Sequence, residues 1–361
     1  MTQRRNHLKT PYVLTTALTT ALIAGLAAAP APAFAAPRSH TVRPGASIQA
    51  AVDAASPGDT VVLTRGTYRE SVLITKALTL RGAGPQTVLA PAQTRSRAVH
   101  SCAKAGNGIC VTGTEGAALT GVSVRSLTLR GFRVNGLWAS RTDRLSVRGV
   151  RAEENGVWGI AQQRSTRSSL RGNTVRENGD AGIFVANAVD AEGGATDTGG
   201  TVIADNRATG NRIGVTVRRV RNLSVRGNVV TGNCAGMFIV GDESRPAAGA
   251  MTVRDNTVDR NNAFCPATAR LPVLQGSGIV LTGSEATVIR GNRIRDNAGT
   301  GPMSGGVVLF KSFVGAANTD NVVERNDVRG NSRADLVDGG GGTGNRFTGN
   351  DCSTSQPAGL C

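Results

Sequence analysis

Seven pairs of asparagines, each pair five residues apart, recur between residues 173 and 350 of this chain. The first members are Asn173, Asn206, Asn228, Asn256, Asn292, Asn326 and Asn345. The second are Asn178, Asn211, Asn233, Asn261, Asn297, Asn331 and Asn350, and Asn155 extends that column upstream. Apolar residues keep step with them: Leu170, Ile203, Val225, Val253, Ile289 and Val323 stand three before the first Asn, and Val175, Val230, Val258, Ile294 and Val328 two after it. A short phrase then follows, as in Gly182-Ile183-Phe184-Val185, Gly214-Val215-Thr216-Val217, Gly236-Met237-Phe238-Ile239 and Gly278-Ile279-Val280-Leu281. Alternation at period two over such short runs means strands.

The shortest repeats, such as 201–222, hold about 22 residues, room for three short strands and three turns. A fixed period of this length is the mark of a solenoid. Parallel strands stack about 4.8 Å apart, so equivalent residues of successive coils lie directly over one another. Stacked asparagines then bond in a ladder, and are expected at tight, left-handed turns. Inward Val, Ile and Leu form a narrow core shared only with neighbouring coils. The asparagines are therefore structural. Longer repeats carry extra residues ("DAEGGATDTGG", "GDESRPAAGA", "NAFCPATARLPVLQGS", "AGTGPMS") without loss of register, so these are expected as surface loops, where function concentrates.

The first residues are read separately. A basic start, the apolar run "VLTTALTTALIAGLAAA" and Ala33-Phe34-Ala35 have the order of a secretory signal peptide over residues 1–35, of the Sec or, from Arg4-Arg5, the twin-arginine type. An extracellular protein without a membrane span is expected. Six cysteines in an exported chain point to disulfides, Cys102 with Cys110, Cys234 with Cys265 and Cys352 with Cys361. The formal charge is +16, and +13 once Arg4, Arg5 and Lys9 leave with the leader. Such a surface suits an acidic polymer, although an arginine-rich composition alone produces the same charge.

The segment His40 to Gly84, "HTVRPGASIQAAVDAASPGDTVVLTRGTYRESVLITKALTLRGAG", carries a short amphipathic helix with Ile48, Val52 and Ala55 on one side, fit to cover the open end of a solenoid. With the coils after it, this phrase resembles the pectate-lyase-like right-handed β-helix superfamily, especially its NosD-type and mannuronan-epimerase-like members. The fold expected is all-β: a single-domain right-handed parallel β-helix over 36–361, with an N-terminal cap over 40–58, coils over 60–350 and a disulfide-closed tail over 351–361. The resemblance implies a range of activities on polysaccharides, and fold alone does not choose among them.

Residue types narrow the range. The clustered Asp and GHG motifs of the hydrolases are absent, and the epimerase site of Tyr, Asp and His has only Tyr68, His40 and His100 to draw on after the leader. A copper role of NosD type needs His or Met clusters, against Met237, Met251 and Met303 here. Lyase chemistry by β-elimination needs a base and a positive charge or Ca²⁺ beside the uronate carboxylate. Counted from the Gly of each phrase, Trp138, Phe184 and Phe238 point outward as candidate sugar platforms, or as apolar surface beneath the loops. Arg141, Arg164 and Lys311 line the strand exits. Arg218 and Arg219 are the candidate bases, with Asp190, Asp242 and Glu243 as the Ca²⁺ ligands of such a lyase; the bland alternative is a surface salt-bridge network. Two functions stay open. One is a secreted protein that binds and cleaves an acidic polysaccharide, with Ca²⁺ as the sole cofactor. The other is a non-catalytic binding, adhesion or structural module with no cofactor. A monomer with no nucleic-acid partner is expected in either case.

Overall fold

A computed structural model describes residues 36–92, 100–191 and 193–361, and the expected leader lies outside them. Residues Pro37–Cys361 form one compact unit. One coil shows how the sequence builds it. Val220–Arg226 lies in the first sheet, Val229–Thr231 in the second and Ala235–Val240 in the third. Its inward side chains, Val225, Val230, Met237 and Ile239, are all within 2% of complete burial. The same alternation in each coil produces three long sheets of twelve, ten and eleven strands, in chain order along the axis. Neighbouring strands pair in parallel, for example Val225 opposite Val253 and Ile239 opposite Leu281. The chain is a parallel β-helix, and one continuous apolar core runs from Val42 to Leu336.

The glycine opening each third-sheet phrase is there because the coils approach closely. A Cβ on Gly236 would lie 2.5 Å from the carbonyl oxygen of Gly278, and one on Gly214 would lie 2.7 Å from that of Gly236. Only glycine fits such a column.

Both asparagine columns form buried ladders. The first runs Asn173, Asn206, Asn228, Asn256, Asn292, Asn326, Asn350, each Nδ2 donating to the next Oδ1 at 2.9–3.0 Å. The second runs from Asn155 through Asn178, Asn211, Asn233, Asn261 and Asn297 to Asn331 and ends on the Asp335 carboxylate. Two expectations are corrected here. Asn345 does not belong to the first ladder: it accepts from Asn321, and Asn350 takes the terminal rung. The asparagines are also not the left-handed residues. That conformation falls on the residue before, Gly227 (φ 63°), Asp205 (φ 58°) or Asp255 (φ 55°), which turns the chain so that the asparagine side chain points inward.

Helix Ile48–Ala54 caps the N-terminal end, with Ser47 as N-cap and Ile48 and Val52 buried. The solenoid begins ahead of it, since Ser39–Val42 already pairs with Thr60–Leu63, inside the stretch expected to be cap alone. All three expected disulfides are formed. Cys102 lies in a one-turn helix, Ser101–Ala105. The insert after Asp190 is also partly regular: Thr196–Ala204 is a nine-residue strand of the first sheet.

Candidate functional site

The site is built on the outward face of the third sheet. Its register aligns Ser140, Gln163, Ala186, Arg218, Val240, Thr282 and Phe310 in one row. The row two residues earlier holds Trp138, Ala161, Phe184, Thr216, Phe238, Val280 and Val308. Both rows were legible in the sequence. The exposure was not. Phe184 is 5% and Phe238 3% exposed, because the inserts fold back over this face. Leu274 and Met303, from two inserts, close over Phe238, Val280 and Val308 in a second apolar cluster, to which Cys234–Cys265 ties its insert.

Of the two readings of these rings, Phe184 and Phe238 fit the apolar surface beneath the loops, while Trp138 is half-buried. Trp138, Trp158 and Phe184 form a stack, with centroid separations of 5.8 and 4.2 Å. The register explains it: the small Ala161 lies between Trp138 and Phe184, and the Trp158 ring fills the space above it. The middle ring, Trp158, is occupied on both faces, Trp138 and Phe184 are the end rings, each stacked on it, and Phe238 is beneath the loops. The exposed aromatic ring at the groove is Phe313, 65% exposed beside Phe310 at the tip of another insert.

Between the inserts lies a groove of about 630 Å³. Thr216 and the half-buried Arg218 form part of its floor, and Asp180, Arg270, Phe313 and Val314 also line it. Asp180 accepts a hydrogen bond from Trp158 Nε1 at 3.0 Å. Burial pushes its carboxyl above the usual carboxylate range, against the pull of that bond and of Arg212 and Arg270. Trp158, Asp180, Arg270 and Phe313 were all missed in the sequence. Trp158 and Asp180 precede the strand phrase that was counted, and Arg270 and Phe313 sit in inserts without a repeat. The one available signal was Ala161, too small for its row.

Arg219 is 8% exposed and pairs with Asp242, itself 7% exposed, while its Nη1 donates to the Ala191 carbonyl at 3.3 Å. Arg219 thus lines the wall of the groove with its guanidinium engaged by Asp242. The expected Ca²⁺ set is not assembled either. Asp242 is engaged by Arg219 and by the Ser244 amide, Asp190 is largely exposed and 3.8 Å from Arg164, and Glu243 is exposed outside the groove lining. Among the described residues no three His, Cys, Asp or Glu come together as metal ligands. His40 is bonded to Asp59, and His100 caps the one-turn helix. Met237 and Met251 are core residues, and Met303 packs against Phe238 in the second cluster.

Arg141 and Arg164 follow their strands in left-handed turns (φ 52° and 47°), outside the groove lining. Lys311 is exposed, next to the lining residues Ser312 and Phe313.

Two family models match the chain: a right-handed beta helix region over residues 93–248, and the periplasmic copper-binding protein (NosD) family over 195–357. Among solved structures, the chain is similar to the A-module of the Azotobacter vinelandii mannuronan C-5 epimerase AlgE4, with TM-score 0.58 and 18% identity over 86% of this chain and 91% of that one. An alginate lyase from Paenibacillus sp. str. FPU-7 gives TM-score 0.52 and 15% identity, covering 87% and 97% of the two chains. The pectate lyase Pel9A gives 0.52 and 13%, covering 90% and 79%. No curated protein matches by sequence. At these identities the likeness is one of fold.

Proposed function

The chain belongs to the pectate-lyase-like right-handed β-helix superfamily, and from that premise we propose that it is an exported protein that binds an acidic polysaccharide along the third-sheet groove. The observation that carries this reading is Arg218, half-buried on the floor of a groove that runs between inserted loops. The planar donor fork of a guanidinium matches the geometry of a uronate carboxylate. Arg270 lines the same groove, Lys311 borders it, and the exposed face of Phe313 supplies the apolar contact that a pyranose ring stacks on. The similar structures include proteins named for alginate and pectate, which favours a uronate polymer.

Binding without β-elimination is the better account. Of the two candidate bases, Arg219 is engaged by Asp242 and Arg218 serves as the carboxylate contact, and the acids expected to gather Ca²⁺ are dispersed or engaged among the described residues. The residues do not fit copper either, because the two described histidines are committed to Asp59 and to a helix cap, and the methionines lie apart in apolar clusters.

Calorimetric titration of the mature protein with oligogalacturonate, oligoalginate and neutral cellooligosaccharide tests this reading. Acidic oligomers are expected to bind, and Arg218→Ala to weaken them about tenfold, the equivalent of roughly 1.4 kcal/mol. Equal affinity for the neutral oligomer, or an unaffected Arg218→Ala variant, refutes it. Release of an unsaturated uronate absorbing in the ultraviolet would restore the lyase.

A further inference from the structure

The phrase Arg-Gly-Asn that opens several repeats has its Gly and Asn explained by the turns and ladders, but not its Arg. Arg171, Arg226 and Arg290 each close a first-sheet strand, and the register places them in one row with Arg81, Arg125, Arg148 and Arg254. Ala204 is the only interruption, and the row ends at Glu324. The central residue of each strand is buried and the arginine beside it is exposed or half-buried, so the row lies on the outer surface. At about 4.8 Å per coil it extends some 34 Å.

The second sheet shows that this chain can neutralise such rows. There Glu153 takes Arg130 and Arg176, Asp259 takes Arg293, and Asp327 takes Arg295. In the first-sheet row, among the described residues, only Arg171 and Arg254 have acidic partners, Asp205 and Asp255. Arg81, Arg125, Arg148, Arg226 and Arg290 form no ion pair among the described residues. Composition explains many arginines, but it does not explain one column of like charges with five of seven unpaired among the described residues, beside a sheet of paired ones. Charges so close repel one another, and a linear counter-charge relieves them.

We infer that this row is a second binding surface, for a linear acidic polysaccharide lying along the helix axis. The parallel outward row carries hydroxyls, Thr79, Ser123, Ser146 and Ser169, then, past Val202, Ser224 and Thr252, which suit sugar oxygens. Neither row holds an aromatic ring on which nucleic-acid bases could stack. The surface is independent of the groove, and a long polymer engages many coils where a short oligomer meets few.

The test compares the mature protein with a variant carrying Arg125→Ser, Arg148→Ser, Arg171→Ser and Arg226→Ser, over a range of salt. For long polygalacturonate the variant loses tenfold or more in affinity, and its log–log salt slope falls by roughly one unit per arginine engaged. Galacturonate trimer binding in the groove is unchanged, and Arg218→Ala shows the opposite pattern. Should the fourfold variant melt early, Arg148→Glu with Arg226→Glu is read instead, and a fourfold Arg→Lys variant keeps polymer binding. Equal polymer affinity in folded variant and parent, or tighter row-dependent binding of oligodeoxythymidylate of matched charge, overturns the inference.

Discussion

Each ladder asparagine is held from several sides. Asn228 accepts the amide N–H and Nδ2 of Asn206 from the preceding coil, and its Nδ2 donates to the Ile203 carbonyl of that coil, to the Arg226 carbonyl of its own and to Asn256 of the next. Asn228→Ala therefore strands buried donors and acceptors in two coils, and is expected to cost about 1–3 kcal/mol in urea unfolding. An unchanged midpoint would contradict the ladder as a source of stability. Asp180 carries a prediction about pH. Its raised pKa means that the carboxyl is neutral at the low end of its titration and becomes a like charge to a polyanion as pH rises through that value. Affinity for a sulfated oligosaccharide, whose own charge is constant, should fall across that window, and Asp180→Asn should flatten the profile. A flat profile in the parent protein would remove Asp180 from the groove's chemistry.

At the scale of the strand and the insert, legibility divides along the repeat. A column recurs at fixed spacing, so spacing alone assigns Arg218, Phe184 and Phe238 to the outward face. Nothing periodic specifies how a single insert folds, so the burial of Phe184 and Phe238, and the entry of Arg270 and Phe313 into the groove, were not readable. The final repeat failed for a related reason. With no further coil to define its column, Asn345 was assigned by spacing, where the hydrogen bonds assign it to Asn321. The Cys234–Cys265 bridge pins the longest insert to a third-sheet strand. Replacing both cysteines by alanine should destabilise the protein by about 3 kcal/mol, since a closed loop of this length restricts the unfolded chain. It should also weaken oligouronate binding by loosening Arg270. Stability and affinity both unchanged would mean that the packing of Leu274 and Met303 alone fixes the insert.

Over Pro37–Cys361 the solenoid has three chemically different faces, although one repeat writes them all. Its second sheet is an ion-pair lattice, its first a row of arginines, and its third a loop-roofed groove. The fold follows from stacking, which the asparagine and glycine columns impose; the groove follows from departures from the repeat. Hydrogen exchange of the mature protein with and without saturating oligogalacturonate tests the placement of the binding site most directly. The account predicts slowed exchange in the groove loops 241–248 and 311–318, and little change in the second-sheet turns. Binding accompanied by protection confined to the second sheet, or by none in those loops, would contradict it.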